Sequence, residues 1–359
     1  MMTLSMAPTA QYYCWAWNRV YVKSNGRVPC WCDAGEPHTI IKADFDKDDF
    51  IYDVVNSAQM REMRLKILTE NELYIPQCDK CCCLLTQGLR KHKRYLDSPL
   101  DMEVATKASN ALNIMNRVTR LRGWPMGSID RVSEMQVEPS FPCNLRCPGC
   151  LHGWHPDAMG SEERPFFLPL EWFEKIIDSH VANAVKLDRI AFVGRGEPTL
   201  NKSFPQMLAH ARAHIPSVFM SMDSNSTHPF KDDYLTLDKI NCSIDGSTKE
   251  AYDTYRRGGD FNAACNFMAN ATAAKRRLSS KCKIRWKYIL FNTTEDFYLL
   301  NKAQQMANEI GIDELDLVIT ACGAADGSVT PPLIMNNLET VQHYIDTNKI
   351  FPNVVVSRS

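Results

Sequence analysis

From Arg131 onward, short apolar runs alternate with longer amphipathic stretches. The runs at 132–138, 187–193, 217–223, 239–244, 283–291 and 314–320 have strand length and are rich in β-branched and aromatic residues. Between them, apolar positions recur at helical spacing over 170–182, 204–214, 261–278 and 295–310, and again over 339–348 after the last strand. Roughly six βα units in succession, with no β-meander among them, predict an α/β protein built as a partial (β/α)6 parallel barrel. In such a fold, active-site residues belong at the C-terminal ends of the strands.

The N-terminal third reads differently. A polar, acidic stretch covers 43–71, and a basic, helix-compatible one covers 90–122 before Gly123-Trp124-Pro125 breaks it. Alternation around Asn25-Gly26 predicts a β-hairpin, because Asn-Gly suits a tight turn with positive φ. The expected organisation is a small cysteine-rich metal-binding module over 1–100, a helical linker over 101–130 and the barrel over 131–359.

Composition adds limits. At 359 residues and 45% hydrophobic content the chain can bury a full core. Its 41 Lys and Arg nearly balance 42 Asp and Glu, so no strong net field points to nucleic acid or an acidic membrane. The first residues lack the charged start and apolar run of a secretory signal, and no later stretch approaches the ~20 apolar residues of a membrane span. A cytoplasmic protein is expected. In a long chain of that kind, 14 cysteines point to metal or redox chemistry rather than to disulfides.

The most specific cluster is Pro142-Cys143-Asn144-Leu145-Arg146-Cys147-Pro148-Gly149-Cys150, directly after the first barrel strand. Three thiolates at Cys-x3-Cys-x2-Cys spacing can hold three irons of a cubane and leave the fourth open, where the usual cubane site uses four cysteines. A zinc knuckle or three buried thiols are the plainer readings of the same residues.

With this motif the chain resembles the radical S-adenosylmethionine (SAM) superfamily. The resemblance implies that Cys143, Cys147 and Cys150 hold a [4Fe-4S] cluster that binds SAM and cleaves it to a 5′-deoxyadenosyl radical. Gly194, Gly196, Glu197 and Pro198, within Gly-Arg-Gly-Glu-Pro at the end of the second strand, resemble the family's segment for the methionyl amino group. Ser224 and Asn225 after the third strand, Ser243 and Asp245 after the fourth, and Asn292 after the fifth resemble its polar strand ends near SAM. Arg257, or its neighbour Arg256, offers a guanidinium for a carboxylate. Many members carry an aromatic residue before the third cysteine; Gly149 stands there instead, which leaves His152 or Trp154 for the adenine.

Cys14, Cys30 and Cys32, with Cys78 and Cys81 later, resemble the auxiliary-cluster module called SPASM or its shorter twitch form, here ahead of the barrel rather than behind it. The resemblance implies a second [4Fe-4S] cluster on Cys14, Cys32, Cys78 and Cys81, with Cys30 in place of Cys32 as an alternative ligand. The same spacings suit a four-cysteine zinc site. A second cluster could take an electron from a substrate radical, which makes net oxidation or peptide cross-linking the leading outcome. Cys322, just past the last strand, could instead return a hydrogen atom and invert a stereocentre. A glycyl-radical activase and a non-catalytic zinc-stapled binding module complete the alternatives. The expected partners are a small-molecule or peptide substrate, with peptide, sugar and nucleoside all open, and a one-electron reductant such as flavodoxin or ferredoxin.

Overall fold

The computed structural model describes residues 12–14, 17–29, 39–70, 84–86, 100–154, 167–291, 297–319 and 338–358. Cys30, Cys32, Cys78, Cys81, Asn292 and Cys322 lie outside the described residues. The chain divides into two compact units. One comprises Met1–Val137, Pro169–Ile190 and His210–Val218; the other comprises Glu138–Leu168, Ala191–Ala209 and Phe219–Ser359.

In chain order, the early elements are strands β1 (Tyr12–Cys14), β2 (Arg19–Val22), β3 (Arg27–Pro29) and β4 (Thr39–Lys42), helix α1 (Ala58–Leu65), β5 (Leu84–Thr86), α2 (Leu100–Arg122), β6 (Arg131–Val132) and β7 (Glu134–Val137). Then come α3 (Leu151–Trp154), α4 (Leu170–Ala182), β8 (Lys186–Leu187), β9 (Arg189–Phe192), α5 (Phe204–His214), β10 (Phe219–Ser224) and β11 (Lys239–Ser243). The remainder are α6 (Lys249–Tyr255), α7 (Phe261–Arg277), β12 (Lys283–Leu290), α8 (Phe297–Ile310), β13 (Glu314–Ile319), α9 (Leu338–Thr347) and β14 (Val354–Arg358).

In the first unit the predicted turn forms but the predicted hairpin does not. Gly26, at φ +79°, donates its N–H to the Lys23 carbonyl at 3.0 Å, and Lys23 donates to Arg27 at 2.9 Å. The flanking strands then part company. β2 pairs parallel with β7, Val20 opposite Met135, while β3 pairs antiparallel with β4. The reason is burial: Val20, Tyr21 and Val22 are all buried, so β2 is covered on both faces rather than half-exposed like a hairpin arm. The buried guanidinium of Arg64 fixes this region. It donates to the carbonyls of Trp17 at 2.6 Å, Val55 at 2.8 Å and Gly127 at 3.1 Å, with no carboxylate among its partners in the described residues. Burial accordingly lowers its pKa to about 9.

The second unit carries a parallel sheet in which β10, β11, β12, β13 and β14 lie side by side in chain order. Along β12 the side chains alternate, with Ile284, Trp286, Tyr288 and Leu290 buried. Helices α7 and α8, with apolar stripes such as Ala264, Phe267, Met268 and Ala271, pack on β12 and β13. Arg285 and Lys287 point the other way, so the second face of the sheet is charged. There Asn241 donates to Asp223 at 2.6 Å, Lys287 lies 3.5 Å from Asp223, Arg285 pairs with Asp316 at 2.7 Å, and Ser357 donates to Asp316 at 2.7 Å. β14 adds a further strand to the predicted series. Among the described residues no helix is long and apolar enough to cross a membrane.

Candidate cluster and cofactor site

The triad loop follows β7 and is locked by its own backbone. Cys150 donates to the Cys147 carbonyl at 2.9 Å and Gly153 to Cys150 at 2.8 Å, the turn that starts α3. Arg146 fastens the middle of the loop: its N–H reaches the Arg257 carbonyl at 2.9 Å, and its guanidinium reaches the Cys143 and Leu145 carbonyls, each at 2.8 Å. The Leu145 N–H points at the Cys143 sulfur at 3.4 Å. Cys147 is buried and the other two thiols are half-buried. Burial raises the Cys143 thiol above its ordinary range and pushes that of Cys147 up to about 11, with Arg256 pulling the latter back.

Glu197 organises what lies opposite. Its buried carboxylate accepts the Thr199 N–H at 3.1 Å, the Thr199 hydroxyl at 2.7 Å, the Ser224 hydroxyl at 2.9 Å and the Asn225 N–H at 2.7 Å. Its own N–H donates to Pro142 at 3.0 Å. One residue therefore joins the glycine-rich segment and the end of β10 through its side chain and the triad loop through its backbone N–H. Pro198 is buried and opens a short 3₁₀ turn, Pro198–Leu200. Asn225, held this way, donates to the Cys143 sulfur at 3.6 Å and to Asn144 at 2.9 Å, and Asn144 donates to Thr227 at 2.7 Å.

Both glycines of the segment are needed for contact with the protein itself. A Cβ on Gly194 would stand 2.4 Å from Glu138 Cγ, and one on Gly196 would stand 2.1 Å from the Ser140 carbonyl. Glu138, fully buried, accepts the Arg195 N–H at 2.9 Å. It is a part of the site that sequence reading missed. The only signal for it was a carboxylate closing an apolar run.

Asp245 is fully buried, pairs with Arg256 Nε at 2.6 Å and accepts the Ile289 N–H at 2.7 Å. Burial alone would lower the Arg256 pKa; Asp245 and then Cys147 more than reverse that and raise it. Of the two arginines, Arg256 is thus the one beside the cysteine loop. Arg257 is exposed and meets that loop through its backbone. Ser243 is half-buried at the end of β11, opposite Lys287. His152 is buried edge-on against Phe141 at 5.3 Å, and the Trp154 side chain lies outside the described residues. Near the N-terminus, β1 pairs antiparallel with β5, which sets Cys14 opposite Leu84, the residue that follows Cys83.

No family model matches the chain. By sequence it is similar to the mycofactocin maturase MftC of Mycobacterium ulcerans, 28% identical over 144 residues, which are 38% of this chain and 36% of the maturase. The MftC of Mycobacterium tuberculosis is also 28% identical, over 147 residues, 38% of this chain and 34% of that protein. The match thus spans about a third of the length of these curated relatives. Among solved structures, Streptococcus suis SuiB bound to the precursor peptide SuiA gives a TM-score of 0.49 at 13% identity, covering 100% of this chain and 73% of SuiB. The spacing of Cys143, Cys147 and Cys150, their loop after β7 and the sequence match to the maturases are in keeping with the resemblance to the radical SAM superfamily.

Proposed function

We propose that this chain is a radical SAM enzyme that modifies a peptide. The observation that carries the reading is the triad loop set between Asn225, Glu197 and Arg256. The donor set fits a [4Fe-4S] cluster. Burial makes bare thiolates costly at Cys143 and Cys147, the Leu145 and Asn225 N–H groups point at Cys143, and Arg256 offsets negative charge beside Cys147. When bound, the cluster supplies the electron that cleaves SAM, and the resulting 5′-deoxyadenosyl radical takes a hydrogen atom from the substrate.

The chain's own residues do the positioning. Glu197 and Asp245 spend their carboxylates on protein donors, so they aim Asn225 and Arg256 rather than bind SAM through their side chains. SAM contacts then fall to the backbone of Gly194, Gly196 and Pro198, to Ser224, Asn225 and Ser243, and to Arg257, with Asn292, outside the described residues, kept as a further candidate. A peptide is favoured because the relatives are maturases and SuiB binds a precursor peptide. The charged face from Asp223 to Asp316 also suits a polar chain better than an apolar ligand.

Net oxidation or cross-linking is the outcome we favour, with an auxiliary [4Fe-4S] cluster on Cys14, Cys32 or Cys30, Cys78 and Cys81. The β1–β5 pairing supports it by bringing Cys14 next in register to the residue after the second cysteine group. The test is anaerobic reconstitution with iron and sulfide, followed by iron counting and assay of 5′-deoxyadenosine with SAM and dithionite. About eight irons per chain with product supports two clusters, and about four with product counts against the second and favours zinc at the N-terminal cysteines. No iron and no product overturns the enzyme.

A further inference from the structure

A second side-chain cluster is formed within the first unit, between helix α4 and the C-terminal end of α5. On α5, His210 and His214 lie one turn apart with their rings stacked 4.0 Å centroid to centroid and 26° between planes. Asp178 of α4 faces them: its Oδ1 is 2.9 Å from His210 Nε2, and ligand atoms of all three residues fall within 4.8 Å of one another. Two imidazoles at i and i+4 with a carboxylate from another helix are the donor set of a zinc-class ion. At metal–ligand bonds of about 2.0–2.2 Å and tetrahedral angles, neighbouring ligand atoms sit roughly 3.3–3.6 Å apart. The His210–Asp178 distance is already close to that, so an ion can replace the hydrogen bond with small side-chain shifts.

The nitrogens turned away from this point are accounted for as well. His214 Nδ1 is 3.0 Å from the His210 carbonyl, which leaves its Nε2 as the metal ligand. His210 Nδ1 lies 3.8 Å from Glu174, one turn before Asp178 on α4. A backbone carbonyl stands behind one ligating imidazole; the Glu174 carboxylate, at 3.8 Å beyond hydrogen-bond range, needs a small shift to take the same place behind the other, the arrangement that fixes tautomer and ring orientation at metal sites. Neighbouring cations are directed elsewhere: Lys175 pairs with Asp46 at 3.1 Å, and Arg212 donates to the Pro216 and Val218 carbonyls. His210 is largely shielded while Asp178 and His214 are exposed, so an ion can enter from solvent and keep water in its remaining position.

We propose that Asp178, His210 and His214 bind one divalent late transition-metal ion of the zinc class, with Glu174 orienting His210, at a site separate from the cysteine chemistry. The ion would join α4 to α5. The experiment uses the full chain reconstituted with iron and sulfide, so that the cluster thiolates are occupied, and titrates it with Ni²⁺ alone by calorimetry. Wild type is expected to bind one more equivalent than the His210→Ala/His214→Ala double variant. Glu174→Gln should weaken that equivalent by about 10-fold or more. The thermal midpoint should rise with Ni²⁺ in wild type and stay fixed in the double variant, whose circular dichroism checks that it is folded. Identical Ni²⁺ isotherms for wild type and a folded double variant would overturn the proposal. Equal binding of Mg²⁺ at the same residues would overturn it too, since a hard cation does not select imidazole.

Discussion

Glu197 ties Ser224, Asn225 and Thr199 together with one carboxylate, and Glu197→Gln removes that tie at one oxygen. Its Oε1 accepts three bonds and its Oε2 accepts one, from the Asn225 N–H. Glutamine keeps an oxygen on one side only. With that oxygen at the Oε1 position, the new amide N–H₂ faces the Asn225 N–H, donor against donor; turned over, it forfeits the other three bonds. A hydrogen bond to a charged group is worth about 1.5–3 kcal/mol, and the buried N–H is left unsatisfied, so the better orientation costs about 2–3 kcal/mol. The loss falls on the residue that aims Asn225 at Cys143, so the effect should reach cluster retention as well as stability. The assay is denaturant unfolding of the reconstituted protein, with iron content and 5′-deoxyadenosine formation measured on the same preparation. The expected variant is folded, less stable, poorer in iron after desalting and slower in SAM cleavage. Wild-type stability with wild-type cleavage would refute the role assigned to Glu197.

Three further perturbations separate the parts. Asp245→Asn leaves the buried Arg256 guanidinium unpaired, at a cost of about 3–5 kcal/mol, and should lower both the thermal midpoint and bound iron. An unchanged midpoint would show that the pair is not buried in solution. Arg64→Met strands the Trp17, Val55 and Gly127 carbonyls and should destabilise by about 3 kcal/mol or more, read by denaturant unfolding; a neutral result would contradict the buried geometry. Burial lowers the His180 pKa to about 4, below the unfolded value of about 6.5. The unfolded chain therefore takes up the proton first, and stability that is complete above about pH 6.5 drains away as pH falls towards about 4. The loss from about pH 7 to about pH 5 is about 2 kcal/mol. His180→Gln should flatten that slope, and an unchanged slope would assign it to other groups.

Much of this was legible in the sequence because it is periodic. Helices 170–182 and 204–214 coincide with α4 and α5, and the six predicted strands fall on β6–β7, β8–β9, β10, β11, β12 and β13. Short elements escaped. α6 has seven residues and depends on Thr248 capping the Ala251 N–H, and β14 is a five-residue strand whose place is given by pairing with β13 rather than by its own pattern. The Asn25-Gly26 turn was readable; the partners of the strands beside it were not, because β2 finds β7 more than a hundred residues along. The same division runs through the site. Cys143, Cys147, Cys150 and the glycine-rich segment announce themselves by spacing, but what Glu197 holds comes from Ser224 and Asn225, and the choice of Arg256 over Arg257 comes from burial beside Asp245. The glycines were found by motif, while their cause in this structure is contact with Glu138 and Ser140.

The central claim is an iron–sulfur cluster on Cys143, Cys147 and Cys150 with one iron open to SAM. Electron paramagnetic resonance of the dithionite-reduced, reconstituted protein tests it directly, with the Cys143→Ala/Cys147→Ala/Cys150→Ala variant recorded alongside to subtract any other cluster. In the difference between the two spectra a reduced-cluster signal is expected that requires the three cysteines and shifts on addition of SAM. Identical spectra with and without the three cysteines, or a difference signal that SAM leaves unmoved, would contradict it.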